Sequence, residues 1–560
     1  MTRIWTLSNT GVRNSLRLQD GLRVYAQSKL VGNIHGKENE MALEQLLAKA
    51  GLLTVTDKSD GTYGRKWRYA WGFYGFIYTK VTGKSGFKQD EIGRADDLSP
   101  LGLAFIRSDT YSATEELFLR ALSVPMEAAY DGSVFSPLRW TIKVLLELEK
   151  RTGSAHVNFN EFAIYIQTSD PSMDLNEIVE NILKLRESKE QSTAKKVFDR
   201  KAYEKAKIDQ EYDKEAANYK EYGDMNLRSL RASGIFQRKG RGIAIVPELH
   251  SLAVDLAKDV TSNASLLERY TLLYNIPSLP TDSVEGARDS LNDIVEELKK
   301  KKIIYDMSQY KLDTVAEINT ARLSLQNLLD INNEEQYALN QRSMWNEISE
   351  YMRLISKKGG TTVFDDGTEL YVPKEECAAY LEWVIWRSFL AIDSLHNKPY
   401  EVRSFNVDKD FFPVNTASGG KADLIAEFHD CVVVGEVTLS SGSRQEAMEG
   451  EPVRRHVADL MKIYNKPVYG LFIANSVDTN TAETFRSGIW YLKDDSKLEL
   501  EIIPLSLEQY NLIFCHMFKT NRAHPLELVS FLKICEDGKK YLSAPEWKNK
   551  INKEVVSYIN

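Results

Sequence analysis

The fold of the C-terminal part of the chain is decided by residues 419–456, GGKADLIAEFHDCVVVGEVTLSSGSRQEAMEGEPVRRH. The segment KADLIAEF predicts a strand, HD a tight turn, and CVVVGEVTLS a second strand that is rich in Val. An antiparallel hairpin that turns at His429 and Asp430 follows from this order. Asp423, near the start of the first strand, and Glu436, near the end of the second, then lie side by side.

A helix and a buried strand are predicted directly after the hairpin. The run SGSRQEAMEGEPVRRHVADLMKIY begins with residues that favour a helix start and continues with helical spacing. Glu449, Val453 and His456 fall on related faces of this helix. Because proline disfavours helical backbone at the residue before it, Glu451-Pro452 predicts an interruption near the helix start. The apolar segment PVYGLFIAN predicts a strand in the middle of a sheet, buried on both faces.

The carboxylates of Asp423, Glu436 and Glu449 are candidate catalytic groups. Glu436 follows the apolar run 431–434, where an uncompensated carboxylate costs several kcal/mol. A hard cation such as Mg²⁺ would compensate, with Asp423 and Glu436 as its ligands. Such a cation orients water and stabilises charge on a phosphate, so the chemistry favours phosphodiester hydrolysis. On spacing alone, a purely structural hairpin fits equally well.

The hairpin resembles the core of PD-(D/E)XK nucleases, in which an acid on one strand and a Glu-x-Lys on the next hold metal and activate water. Here Thr438 stands at the position of the lysine. The identity of a general base is therefore open, and either Glu449 or His456 could fill the gap.

A more specific resemblance covers the last third of the chain. The strings GEVTLSSGSRQEAMEGEPVRRH, GLFIANSVDTNTAETF and IIPLSLEQYN, with YNIPSLP further upstream, resemble the AlwI-like family of type IIS restriction endonucleases and their strand-nicking relatives. The resemblance implies Asp423, Glu436 and Glu449 as catalytic acids, His456 as an accessory residue, and Glu382 on a preceding helix. For His456, an imidazole on the helix surface without a catalytic role is an equal alternative.

The same resemblance implies a function. Such an enzyme of a restriction-modification system binds double-stranded DNA at a short asymmetric site, of GGATC or GAGTC type, and cuts at a fixed offset. A monomer suits an asymmetric site, whereas cutting both strands implies transient pairing of two cleavage domains; without pairing, one strand is nicked. The alternatives are a structure-specific repair nuclease with the same core and an inactive winged-helix regulator, which the missing lysine would permit.

Glu382 is also singled out by its own helix. The segment CAAYLEWVIWRSFLAID is apolar nearly all round, which predicts a buried helix, and Glu382 is the only acid between Cys377 and Asp393. A carboxylate inside such a helix requires a partner, a metal or a base. A snorkelling or capping role is the structural alternative.

A winged-helix module is predicted from MNLRSLRASGIFQRKGRGIAIVPELHSLAVDL. The pattern indicates a helix, a strand, a basic turn, a strand and a helix. Arg228 and Arg231 on the first helix would face the major groove, while Arg238, Lys239 and Arg241 at the turn would contact backbone phosphates. A winged helix that serves only protein interaction would have the same pattern.

A second basic stretch, GTYGRKWRYAWGFYGFIY, interleaves Arg65, Lys66 and Arg68 with aromatic residues. Basic and aromatic residues together can bind phosphates and pack on sugar or base. The alternative is a pair of strands whose aromatic residues fill a small core.

The whole chain indicates a multi-domain α+β protein, because 560 residues exceed a single core. We expect an N-terminal DNA-recognition subdomain (1–135), a winged-helix-like recognition subdomain (136–280), a helical linker (281–360) and a mixed α/β nuclease domain of PD-(D/E)XK type (361–560). The net charge of −8 argues against a basic coat over the whole surface, so DNA contact would be local.

Compartment and cross-links can also be inferred from composition. No apolar run reaches membrane-spanning length and no signal-peptide pattern begins the chain, so a cytoplasmic location without membrane contact is expected. The four cysteines are scattered without CxxC spacing. This spacing argues against structural zinc and against a disulfide framework.

Overall fold

The computed structural model describes residues 3–9, 12, 15, 17–53, 60–83, 85–193, 195–364, 369–392, 394–417 and 420–560. The chain forms two compact units, Met1–Leu329 and Asp330–Asn560. Both units combine helices with small sheets, so the predicted multi-domain α+β class is confirmed. Within these described ranges, no helix is both long and apolar enough to cross a membrane. The four cysteines are free thiols.

The first unit is mainly helical. Its helices are α1 (Arg17–Ala26), α2 (Lys37–Lys49), α3 (Thr62–Phe73), α4 (Pro100–Arg107), α5 (Tyr111–Ser123), α6 (Pro137–Thr152), α7 (Phe159–Glu161), α8 (Leu175–Glu190), α9 (Lys195–Asp209), α10 (Ala217–Arg231), α11 (His250–Leu256), α12 (Leu266–Tyr274), α13 (Val284–Lys300) and the first part of α14 (Val315–Gln341). Its strands are β1 (Glu127–Ala128), β2 (Val134–Phe135), β3 (His156–Val157), β4 (Phe236–Lys239), β5 (Gly242–Ile245) and β6 (Thr261–Ser262). The boundary between the units falls within α14.

The segment from which a winged helix was predicted forms α10, β4, β5 and α11, in the expected order of helix, strand, strand and helix. β4 and β5 pair antiparallel, and β3 joins the free side of β5. One face of α10 is covered by the N-terminal segment, because Asn226 donates to the carbonyl oxygen of Trp5 and accepts from the N–H of Leu7. The element order is therefore as predicted, and seven of the 15 residues of α10 are buried.

The aromatic and basic stretch around residue 65 forms helix α3, so the pair of strands considered from the sequence is wrong. Trp67, Ala70 and Trp71 are buried at spacings of three and four, the pattern of a helix with one inner face. Burial of this inner face decides the structure of the stretch.

The second unit holds the remaining elements. Its helices, after the end of α14, are α15 (Trp345–Ser356), α16 (Cys377–Ala391), α17 (Pro399–Val402), α18 (Arg444–Ile463), α19 (Thr479–Ser487), α20 (Leu507–Lys519), α21 (Pro525–Glu536) and α22 (Ala544–Ile559). Its strands are β7 (Gly360–Val363), β8 (Glu369–Val372), β9 (Leu424–Glu427), β10 (Val432–Thr438), β11 (Val468–Ala474), β12 (Ile489–Tyr491), β13 (Lys497–Glu499) and β14 (Glu501–Ser506).

A four-stranded sheet in the order β14-β11-β10-β9 forms the centre of this unit. β9 and β10 are the predicted antiparallel hairpin, whereas β11 runs parallel to both β10 and β14. Every residue of β11 is buried, which confirms the predicted central strand. α16 packs against β9 and β10 and is buried along nearly its whole length, as its apolar sequence predicts.

Helix α18 connects the parallel strands β10 and β11 and runs without interruption from Arg444 to Ile463. The interruption predicted at Pro452 is therefore wrong. A proline inside a helix costs about 3 kcal/mol. This cost is offset because Val453 and Val457, on the inner face, pack fully buried beside the sheet.

Candidate active site

The β9–β10 hairpin brings two of the predicted acids together. Gly435 pairs with Leu424, so the next positions outward on the two strands are Glu436 and Asp423. One carboxylate oxygen of Asp423 accepts a hydrogen bond from the N–H of Val437, 2.9 Å away. The side chain of Asp423 is thereby fixed against the end of β10, as the predicted hairpin requires.

Helix α18 adds an imidazole to this pair. His456 Nδ1 lies 2.7 Å from Glu436 Oε1, and both side chains are buried, with 9% and 8% of their surfaces exposed. His456 Nε2 is buried and has no hydrogen-bond partner in the described part of the protein. Because Nδ1 faces a carboxylate, it carries the proton whenever Glu436 is ionised, which leaves Nε2 as an acceptor in the neutral ring. His456 is therefore a buried group and not a surface imidazole.

Glu382 is buried within α16 and is only 6% exposed. Its Oε2 accepts a hydrogen bond from the N–H of Ala417 over 2.6 Å. Burial raises the pKa of Glu382 to about 8; the Ala417 hydrogen bond opposes this rise, and the charge of Glu436 adds to it. Glu382 thus has a backbone partner, and its carboxylate is electrostatically coupled to the hairpin.

The four acids influence each other electrostatically. Burial raises the pKa of Asp423 well above its ordinary value, and the charges of Glu436, Glu382 and Glu449 raise it further. Burial also raises the pKa of Glu436, and the hydrogen bond and electrostatic contact with His456 oppose that rise. Burial likewise raises the pKa of Glu449, and a hydrogen bond from Thr438 opposes that rise. A group of partly buried like charges is the environment that a cation would stabilise most.

The acids of this site are of the kind that a hard divalent cation needs as donors. Asp423 and Glu436, the predicted ligands, are adjacent carboxylates, and oxygen donors of this kind suit Mg²⁺. Among the residues that the structure describes, no three Asp, Glu, His or Cys side chains converge closely enough to hold one ion together. The chemistry of the site therefore fits a divalent cation, although the full ligand set is not assembled in this conformation.

Thr438, two residues after Glu436, has hydrogen-bond partners of its own. Thr438 Oγ1 accepts a hydrogen bond from the N–H of Ser440 over 3.0 Å. Its hydroxyl proton is then available to the Glu449 carboxylate, whose pKa this contact lowers. An uncharged hydroxyl therefore lies at the second position after Glu436.

One residue near the site was not singled out by sequence reasoning. Gln445, at the start of α18, is fully buried and makes three hydrogen bonds to the loops that follow β10 and β11. The sequence gives little indication of this role, because Gln445 is one of many polar residues there and differs only in lying one helical turn before Glu449.

The basic residues predicted for DNA contact at the β4–β5 turn differ in their surroundings. Lys239, at the end of β4, is exposed. Arg241 is also exposed, and its guanidinium packs over the ring of Phe159 at 5.1 Å. Arg238 is half-buried on β4. The turn therefore presents positive charge to solvent at two positions.

The arginines on α10 lie closer to the protein. Arg228 forms an ion pair with Asp224, one turn earlier, over 3.0 Å, and its side chain is 15% exposed. Arg231 is half-buried at the end of the helix. Contact with a DNA phosphate would therefore require Arg228 to exchange its carboxylate partner.

The basic residues of α3 are divided between the helix surface and the interior. Arg65 is exposed, and the ammonium of Lys66 lies 5.6 Å above the ring of Tyr63. Arg68 donates to Glu40 over 2.8 Å and also contacts a ring nitrogen of His35. Arg65 is thus exposed on α3 and Lys66 is half-buried, whereas Arg68 is held by an acid.

The comparisons with known proteins define the class of this chain. The family model described as AlwI restriction endonuclease matches residues 74–513, most of the chain. The protein is therefore a site-specific deoxyribonuclease of the type II restriction enzymes. It belongs to the AlwI restriction endonuclease family, and the resemblance inferred from the sequence is confirmed.

No curated protein matches the chain. Among solved structures, the small subunit of the heterodimeric restriction endonuclease R.BspD6I is similar, with 21% sequence identity and a TM-score of 0.29. The matched region covers 38% of this chain and 98% of that subunit.

Proposed function

We propose that this restriction enzyme is of type IIS and hydrolyses double-stranded DNA at a fixed offset from a short asymmetric site, with Mg²⁺ as cofactor. The observation that carries the proposal is a group of buried and half-buried acids, Asp423, Glu436, Glu449 and Glu382, in which burial and the neighbouring negative charges raise the pKa of Asp423. Such an arrangement costs folding free energy, and a nuclease site gives a reason for retaining it.

Each residue has a proposed role at the phosphodiester. Asp423 and Glu436 would hold the cation, which would supply charge stabilisation for the phosphate and an oriented water. His456, with its proton at Nδ1 directed to Glu436, has an unpaired Nε2 that can accept a proton. Glu449 and Glu382 complete the group of four acids. Either Glu449 or His456 would act as the general base in place of the absent lysine.

DNA recognition is proposed for the N-terminal segments 1–135 and 136–280, joined through the linker 281–360 to a cleavage domain of PD-(D/E)XK type at 361–560. The sheet order β3-β5-β4 and the helix α10, which lies between β3 and β4 in the chain, support a winged helix. Lys239 and Arg241 at the turn would contact phosphates, with Arg238, Arg228 and Arg231 beside them. Arg65, Lys66 and Arg68 on α3 would supply a second contact.

The recognition site is proposed to be of GGATC or GAGTC type, by similarity to the family. One chain would bind the asymmetric site in the cytoplasm, and two cleavage domains would pair transiently to cut both strands. A strand-specific nick is the alternative outcome if they do not pair. The hydroxyl of Thr438 in place of a lysine favours one further alternative, an inactive DNA-binding regulator.

The test compares cutting with binding in matched variants. Asp423→Asn and Glu436→Gln keep the size of each side chain and remove its charge. Both are expected to abolish cleavage of plasmid DNA in Mg²⁺ while DNA binding, measured by fluorescence anisotropy, is retained. Asp430→Asn is the control, because Asp430 lies at the exposed turn of the same hairpin, paired with His429. Loss of binding together with cutting would indicate misfolding, and full activity of Asp423→Asn would contradict the proposed site.

A further inference from the structure

Gln445 is a fully buried amide near the start of α18. Its Nε2 donates to the carbonyl oxygens of Ser440 and Ser476, over 2.8 and 2.9 Å. Its Oε1 accepts from the N–H of Asp478 over 2.8 Å. Both amide protons and the amide oxygen are therefore engaged, so the orientation of the side chain is fixed by three backbone partners.

These three partners lie in two different loops. Ser440 follows β10, the strand that carries Glu436, whereas Ser476 and Asp478 follow the neighbouring parallel strand β11. Asp478 in turn caps α19 through the N–H of Asn480. Gln445 thus joins the carboxyl ends of two adjacent strands, the edge of an α/β sheet where ligands bind.

Apart from Gln445, the first turn of α18 is held to the rest of the unit by a hydrogen bond from Thr484 Oγ1 to Glu446 Oε1 over 3.2 Å. Ser443 stands at the cap position but makes no side-chain hydrogen bond to the helix. The described backbone contact at this point is the N–H of Gln445 to the carbonyl oxygen of Gly442. Because an unsupported helix start frays, the buried Gln445 amide is the main polar anchor of this end of α18.

The position of α18 matters for one acid and one imidazole. Glu449 lies one turn after Gln445, on the same side of the helix, because i and i+4 positions are neighbours. His456 lies two turns further along and must stay 2.7 Å from Glu436. A small shift or rotation of the first turn would move the Glu449 carboxylate away from Thr438 and from the other acids.

We propose that Gln445 is a positioning residue for Glu449, which acts by fixing the first turns of α18 to the edge of the sheet. The proposal rests on the proposed nuclease function. Gln445 is not among the residues that are proposed to touch DNA or metal. Its replacement is therefore expected to change the rate of cleavage and not DNA binding.

The first experiment replaces Gln445 by methionine, which keeps the length and removes all three hydrogen bonds. Gln509→Met is the matched control, since Gln509 accepts from the N–H of Ser506 at the start of α20 and lies outside the acid group. With saturating plasmid and Mg²⁺, kcat of Gln445→Met should fall by about 10- to 100-fold, as expected for a misplaced catalytic group. KM and the Kd for DNA should stay within about twofold of the unmodified protein, and Gln509→Met should keep its kcat.

A second measurement separates positioning from general loss of structure. Glu449→Asp shortens the acid that Gln445 is proposed to position, so adding Gln445→Met should reduce kcat by much less than in the unmodified protein. An equal fold-loss in both backgrounds, or a kcat for Gln445→Met within twofold of the unmodified protein, would overturn the proposal. If the methionine variant does not fold, Gln445→Glu replaces it, because this variant keeps the acceptor for Asp478 and loses the donors. An unchanged kcat of Gln445→Glu would also overturn the proposal. Absence of cleavage by the unmodified protein would instead contradict the nuclease function itself.

Discussion

The carboxylate of Glu382 is expected to destabilise the fold, and Glu382→Gln should therefore raise stability while it lowers activity. The glutamine has the same size and its oxygen can still accept the hydrogen bond from Ala417. Only the ionisable group is removed. Functional sites commonly carry such a cost, because the arrangement that serves chemistry is not the most stable one.

The magnitude follows from the pKa of Glu382, which burial raises from 4.5 to about 8. For an acid whose pKa is raised by folding, the cost is absent below pH 4.5, grows between pH 4.5 and 8, and is complete above pH 8. At about 1.4 kcal/mol per pH unit, the cost reaches about 3 kcal/mol at pH 7 and about 5 kcal/mol at alkaline pH. The variant should be more stable by these amounts.

The assay is urea unfolding of Glu382→Gln and the unmodified protein at pH 4, 7 and 9, in a metal-free buffer. The difference in the free energy of unfolding should vanish at pH 4 and grow through pH 7 to pH 9. The measurement at pH 4 is an internal control, since both side chains are then neutral. Equal or lower stability of the variant at pH 7, or a gain that does not depend on pH, would refute the reasoning.

Three further outcomes are expected. His456→Ala should move the acid limb of the pH–rate profile to higher pH, because His456 lowers the pKa of Glu436; an unmoved limb would argue against this contact. Lys239→Ala with Arg241→Ala should weaken DNA binding and reduce the slope of log Kd against log salt by about 1 to 2, measured by anisotropy; an unchanged slope would exclude the β4–β5 turn from the interface. Mg²⁺ should raise the melting temperature of the unmodified protein more than that of Asp423→Asn, since the cation binds folded carboxylates; equal shifts in a thermal scan would contradict the metal site.

Local patterns predicted much of the second unit. The hairpin around Asp423 and Glu436 has a short turn between two strongly β-forming runs, and β11 is an unbroken apolar segment. α16 is apolar all round, so its burial followed directly. In each case the residues that decide the structure are adjacent in sequence.

Features that depend on distant contacts were not predicted. Pro452 lies within α18 because the inner face of that helix packs beside the sheet. The partner of Glu382 is the N–H of Ala417, in a separate segment of the chain. Gln445 gains its role only when the loops after β10 and β11 meet at one edge of the sheet.

The exposure of the basic residues in the first unit could not be predicted from local sequence either. Sequence spacing grouped Arg65, Lys66 and Arg68 together, but helical geometry directs Arg65 to solvent and Arg68 to Glu40. The acid that pairs with Arg68 lies on a different helix, α2. The count of basic residues in a stretch therefore overstates the positive charge that is available to DNA.

The central claim is tested most directly by sequencing the ends left on plasmid DNA after incubation with the protein and Mg²⁺. The account predicts breaks at one fixed distance from a shared short asymmetric sequence, with none in the absence of Mg²⁺ or with Asp423→Asn. Breaks on one strand alone would indicate a nicking enzyme of the same kind. Breaks at branches or flaps regardless of sequence, or intact plasmid that the protein still binds, would contradict the account.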